Sequence, residues 1–191
     1  MYISTGNKKL APTADTKFLI WNLPAEKTCP FATELCKKFC YAKKAERQYK
    51  GARNARAVNF NDSLRPSFTV AMALEICKYI NRPAWRGKKV LFRIHESGDF
   101  YNKEYAQKWI DIANVFPNIQ FLAYTKSVRF FVGIELPDNL TIRFSVWDDT
   151  KPGELAIARY MGLPTYSAVD KAQFADVPII QRCDCKKGCG D

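Results

Sequence analysis

Cys29, Cys36 and Cys40, with six and three residues between them, stand at the head of a stretch rich in lysine and arginine. Thiolates in that number suit a soft metal or an iron–sulfur cluster, for which sulfur is the preferred donor. Three cysteines on a cluster leave one iron without a protein ligand, the open position that catalysis requires. Zinc is the alternative, with His95 or a remote cysteine as fourth ligand. On one continuous helix the three positions would share a face and pack as small hydrophobes. Pro30 instead starts a helix and leaves Cys29 at its mouth. A second group, Cys183, Cys185 and Cys189 in QRCDCKKGCGD, is too polar and glycine-rich for a core stripe. It reads as a metal-binding tail over residues 180–191, for zinc or a second cluster, and the two groups could also meet at one site. Cys77, amid apolar residues of a helix, reads as core.

The segment HESGDF holds the single histidine, His95, beside Glu96 and Asp99. These three are the acid–base candidates. Ser97, Gly98 and Asp99 form a turn that would expose backbone amides next to a carboxylate, a grip for an ammonium group or a ribose hydroxyl. An ordinary strand-to-helix turn would look the same. The basic run supplies Lys37, Lys38, Lys43, Lys44, Arg47, Lys50, Arg53 and Arg56, with Tyr41 and Tyr49 interleaved and only Glu34 and Glu46 opposing them. Phosphate contacts combined with base stacking would have this composition. So would a solvated helix face.

The elements that must position these residues alternate between strand and helix. Apolar runs at 17–23, 88–94, 118–125, 139–147 and 164–169 read as strands. Helical periodicity marks 67–80, 102–116 and 153–162, and 30–58 is helix-rich. That alternation predicts right-handed βαβ crossovers and an α/β fold with a parallel sheet, a partial TIM-like barrel of about five to six strands. A complete eight-unit barrel does not fit so short a chain. Ligands in such folds sit beyond the carboxyl ends of the strands. The first cysteine group, HESGD, Thr125 to Ser127, Ser145 to Asp149, and Asp170 with Lys171 all follow strands, so the unusual chemistry shares one expected face.

The 191 residues make one domain, large enough to fold without metal or disulfide. Thirty Lys and Arg against nineteen Asp and Glu give a net charge of +11, which favours anionic partners, nucleic acid first. No signal peptide and no membrane span are legible, so the expected location is the cytoplasm, that of the host if a phage encodes the chain. In a reducing compartment clustered cysteines point to metal or redox chemistry rather than disulfides.

The segments TCPFATELCKKFCYA, FRIHESGDF, FLAYTKS and IRFSVWDD and the cysteine-rich tail, in this order between about residues 17 and 189, resemble the phage and bacterial gene product 88 family. The cysteine loop with Phe39 before Cys40 and Tyr41-Ala42-Lys43 after it also resembles the cluster loop of radical S-adenosylmethionine enzymes. The usual spacings there are three and two, not six and three. That resemblance implies that Cys29, Cys36 and Cys40 hold a 4Fe-4S cluster whose fourth iron is chelated by S-adenosylmethionine. It further implies that Ser97, Gly98 and Asp99 hold the methionyl amine, that Lys126, Arg143 and Ser145 reach the carboxylate or ribose, with Tyr41 on the cofactor side, and that an external electron donor is needed. The expected function is cluster-dependent cleavage of that cofactor to modify a nucleic acid or nucleotide. Two further readings stay open. One is a non-catalytic zinc or iron–sulfur nucleic-acid-binding protein. The other is base exchange like that of guanine transglycosylases, with Asp99 or Asp148 as nucleophile and zinc on the tail.

Overall fold

A computed structural model describes residues 1–6, 10 and 12–167. The tail cysteines Cys183, Cys185 and Cys189, and Asp170 with Lys171, lie outside the described residues. Six strands form one sheet in the order β1 (Ile3–Ser4), β2 (Thr16–Trp21), β3 (Lys89–Ile94), β4 (Ile119–Thr125), β5 (Leu140–Val146) and β6 (Thr165–Ser167). β2 to β6 are mutually parallel, and β1 pairs antiparallel with β2. The sheet is mixed, mostly parallel and open, with β1 at one edge and β6 at the other. Sequential order without a reversal means that the chain winds in one direction, so no topological switch point divides the sheet.

Between β2 and β3 lie α1 (Glu34–Lys38), α2 (Tyr41–Gln48), α3 (Lys50–Ser63) and α4 (Phe68–Ile80). α5 (Lys103–Val115) joins β3 to β4, and α6 (Pro152–Tyr160) joins β5 to β6. Asn102 opens α5 by accepting the Tyr105 amide at 2.7 Å. The helix-rich reading of 30–58 resolves into three helices, broken where Cys40 and Tyr49 adopt extended backbone. The short edge strand β1 has too little sequence to be read as one.

Alternation along the strands assigns the two faces of the sheet. Leu19, Trp21, Val90, Phe92, Ile94, Ile119, Phe121, Ala123, Leu140 and Ile142 point into a core shared with Phe68, Met72 and Ile76 of α4 and with Tyr105, Trp109 and Ile112 of α5. Phe144 continues this face against Ala158 of α6. Burying aromatic and aliphatic side chains of this size contributes about 1.5–3 kcal/mol each, the main force holding helices to sheet. The other face carries Leu91, Arg93, Leu122, Tyr124 and Arg143, each half-buried, and Ile20 of β2, which is buried beside Arg93. Cys77 packs at the margin of the core, as expected.

Candidate functional site

The segment after β2 is held by loops that follow three other strands. Asn22 accepts the amides of Glu96 and Ser97 through Oδ1, at 2.8 and 2.9 Å. The Leu23 amide donates to the Ser97 carbonyl at 2.9 Å, and the Ser97 hydroxyl donates to the Leu23 carbonyl at 2.8 Å. Thr28 closes the turn by donating to the Pro24 carbonyl at 2.7 Å. Gly98 lies against this strut with φ +83°, where a Cβ would come within 2.6 Å of both Leu23 Cβ and Thr28 Oγ1. Glycine is the residue that fits both the left-handed backbone and the contact.

α1 is gripped at both ends from beyond β5. Asp149 accepts the Leu35 amide at 2.9 Å, Thr33 caps the helix by accepting from Cys36 at 3.1 Å, and Phe39 stacks on Trp147 at 6.3 Å with 2° between the rings. From beyond β4, Phe130 meets Phe31 edge to face at 5.4 Å. The cysteine segment is thus the lid that ties the carboxyl ends of β2, β3, β4 and β5 together.

Within that frame the three thiols are half-buried; Cys29 and Cys36 lie near Lys126 and Asp99, and Cys40 lies near Cys36. Burial pushes the Cys29 thiol up to about 12, with Asp99 and then Cys36 adding to the rise. Burial also raises Cys36, while the Lys126 ammonium, which hydrogen-bonds it, pulls the other way; Cys40 is near enough to act on it too. Thiols held protonated in this way are poor nucleophiles at neutral pH. A metal would have to displace their protons. Among the described residues no three His, Cys, Asp or Glu side chains lie close enough to hold a single metal ion. Lys126 also donates to Ser145 Oγ at 3.4 Å, so cation, thiol and hydroxyl share the mouth.

The HESGDF segment is more structural than the sequence implies. Asp99 is buried and its oxygens accept from Thr125 Oγ1 at 2.5 Å, the Phe100 amide at 2.7 Å and the Lys126 amide at 2.9 Å. Burial raises its carboxyl despite these three donors. One acceptor direction remains of the roughly four a carboxylate has. Ser97 is 2% exposed and spent on Leu23, and the Glu96 and Ser97 amides are taken by Asn22, so the turn does not offer those amides to a ligand. His95, with φ +63°, turns its ring into the core, where Nε2 pairs with the Tyr105 hydroxyl at 2.9 Å. That hydroxyl also accepts from Trp21 Nε1 at 3.0 Å. Burial, aided by Arg93, lowers His95 to about 3 and keeps it neutral. Its Nδ1 is buried without a partner. Glu96 lies at the mouth, where its carbonyl accepts from the Tyr41 hydroxyl.

The basic run divides into spent and available charges. Lys37 pairs with Glu34 at 2.7 Å, Lys43 with Glu26 at 2.5 Å, and Arg56 with Glu46 at 2.9 Å while also donating to the Ala42 carbonyl. Lys38 lies over the Phe39 ring at 5.2 Å. Lys44, Arg47, Lys50 and Arg53 are exposed and make no ion pair among the described residues. They surround the α2–α3 corner at Tyr49, itself 57% exposed.

Sequence reasoning missed the scaffold residues Asn22 and Thr28 and, on the open sheet face, Arg93 and Tyr124; Thr125 and Trp147 fall in the post-strand segments it marked, without a role of their own. The signal for Arg93 was present: strands buried on both faces read as continuous apolar runs, and KVLFRI interrupts that run with an arginine, as NLTIRF does with the candidate Arg143.

Fold and site together define an open, singly wound α/β protein with a three-thiol lid over the carboxyl ends of its parallel strands. The family model for gene product 88 matches residues 1–172, and the chain belongs to that family. Two curated relatives, the gene 88 proteins of Mycobacterium phages L5 and D29, are each 30% identical over 170 residues, covering 82% of this chain and 68% of theirs. No solved structure matches. Among the described residues no helix is long and apolar enough to cross a membrane.

Proposed function

We propose that the three-thiol lid holds a 4Fe-4S cluster and that the protein is an iron–sulfur enzyme of the radical S-adenosylmethionine type acting on a nucleic acid or nucleotide. The observation that carries this reading is the grouping, at the carboxyl ends of the strands, of Cys29 and Cys36 beside Lys126 with Cys40 next to Cys36. Thiolate sulfur is the donor such a cluster takes, and three of them leave one iron open.

Bound there, the cluster would supply the electron that cleaves the sulfonium of S-adenosylmethionine. The chain's own part is to bind and orient. Cys29, Cys36 and Cys40 would hold three irons. The Lys126 ammonium and the Ser145 hydroxyl to which it donates would take the cofactor's carboxylate or ribose, and the remaining acceptor direction of Asp99 its amine. Tyr41 would close one side of the mouth. Ser97 and Gly98 serve this reading as the strut beneath the lid, not as ligands. The reading also takes the singly wound sheet as part of a TIM-like barrel, its half-buried face turned inward toward substrate. The unpaired cations at the α2–α3 corner would meet the phosphates of a nucleic-acid strand. Radical chemistry also requires an external electron donor, and the tail cysteines Cys183, Cys185 and Cys189 would take a second cluster or zinc.

The test is anaerobic purification with iron, sulfide and zinc quantitation, followed by reduction in the presence of S-adenosylmethionine and measurement of 5′-deoxyadenosine. About four irons and four sulfides at the lid with 5′-deoxyadenosine formed on reduction supports the reading. Zinc without iron overturns it, and iron without cleavage reduces it to a structural or redox cluster. Cys40→Ala should lose the lid cluster, while Cys77→Ala keeps it.

A further inference from the structure

The open face of the sheet holds two arginines that form no ion pair among the described residues. Tyr124 and Arg143 are directly paired across β4 and β5, and Arg93 lies diagonally across from Tyr124 on β3. The Arg93 guanidinium lies over the Tyr124 ring at 4.1 Å, and that of Arg143 is 5.9 Å from the same centroid. Tyr166 of β6 meets Tyr124 edge to face at 5.2 Å. Arg93 is fixed by its Nε, which donates to the His95 carbonyl at 3.2 Å, and its terminal nitrogens make no hydrogen bond among the described residues. Arg143 makes no hydrogen bond or ion pair among them, and its Nε is buried without a partner.

A buried donor without a partner costs about 1–3 kcal/mol, and more when charged. Two guanidiniums gathered around one ring add mutual repulsion. Arrangements that sacrifice stability in this way belong to binding sites, where a ligand supplies the missing charge. Guanidinium forks match the oxygens of phosphate in pairs, which a point charge such as lysine does not. Arg143 stands two residues, about 7 Å, before Ser145 on its strand, deeper on the open face than the mouth formed by Lys126 and the thiols.

We infer that Arg93 and Arg143, spaced by Tyr124, form a phosphate-binding site on the open sheet face that takes the phosphate of a nucleotide substrate. The inference rests on the reading of a nucleotide-directed enzyme and names its substrate class. It also separates Arg143 from the cofactor's carboxylate, leaving that group to Lys126 and Ser145.

The experiment is calorimetric titration of the full chain, purified anaerobically and without reductant, with adenosine and guanosine 5′-monophosphates, the parent nucleosides, inorganic pyrophosphate, a trinucleotide and S-adenosylmethionine. Because no turnover is measured, the outcome is independent of 5′-deoxyadenosine formation. The monophosphates should bind about tenfold or more tightly than the nucleosides, since charge-assisted hydrogen bonds are worth that much. Arg93→Gln and Arg143→Gln should each abolish that margin. Arg82→Gln, which removes another arginine lying over a tyrosine, at 4.1 Å from Tyr79, should leave it intact. Whether mononucleotide or trinucleotide binds better tells a free nucleotide from a strand, and either supports the site. Should Arg143→Gln fold poorly, Arg143→Lys keeps the charge without the fork and should still lose about tenfold. Equal affinity for nucleoside and nucleotide, or Arg143 variants that weaken S-adenosylmethionine but not the monophosphates, would overturn the inference.

Discussion

Gly98→Ala tests whether the turn after β3 works as a strut for the cysteine lid. At φ +83° any other residue costs about 1–2 kcal/mol of backbone strain. The new methyl would stand 2.6 Å from Leu23 Cβ and 2.6 Å from Thr28 Oγ1, and neither can give way freely. Thr28 is tied to the Pro24 carbonyl, and Leu23 is tied through two backbone groups to Ser97. Relief requires overpacking or loss of one of those bonds, about 1–3 kcal/mol more. The expected loss is therefore about 2–5 kcal/mol, a large share of the 5–15 kcal/mol typical of a domain. Gly87→Ala and Gly162→Ala are the controls, at φ +69° and +62° with nothing within 4 Å, and should cost only the strain. Urea unfolding of the three variants at neutral pH measures the differences. If Gly98→Ala costs no more than the two controls, the lid does not bear on this turn and the account of the segment fails.

Metal-free protein should lose stability as pH rises from about 9 toward 12. In that window the unfolded Cys29 gives up its proton while the folded thiol, raised to about 12, retains it. Cys29→Ala should flatten that alkaline limb in thermal melts, and an unchanged slope would show that the thiol is not held as buried as the geometry implies. Replacing Lys44, Arg47, Lys50 and Arg53 together by Gln should lower affinity for single-stranded nucleic acid and reduce the magnitude of its salt slope by about 0.7 per lost phosphate contact. Replacing Lys37, Lys43 and Arg56, already paired with acids, should change that slope little; equal effects from the two sets would remove the corner as an interface.

The alternation of apolar runs with helical periodicity carried most of the fold, since each core strand and each crossover helix has its own local signature. Legibility failed where a residue's role depends on what arrives from far along the chain. Thr125 looks like the end of a strand until it donates to Asp99, and Asn22 like a loop residue until the Glu96 and Ser97 amides reach it. The same long-range contacts reverse the apparent chemistry of HESGDF. His95, Ser97 and Asp99 are the residue types of an active site, yet the fold spends two of them entirely on the core and lid and most of the third. Conversely Arg93 sits inside a strand pattern of apolar neighbours, and its placement with Arg143 beside Tyr124 follows only from strand register. A charge within a parallel strand is affordable only on a face that the helices leave open. That single constraint, applied to KVLFRI and NLTIRF, distinguishes the open face from the core face before any side-chain contact is known.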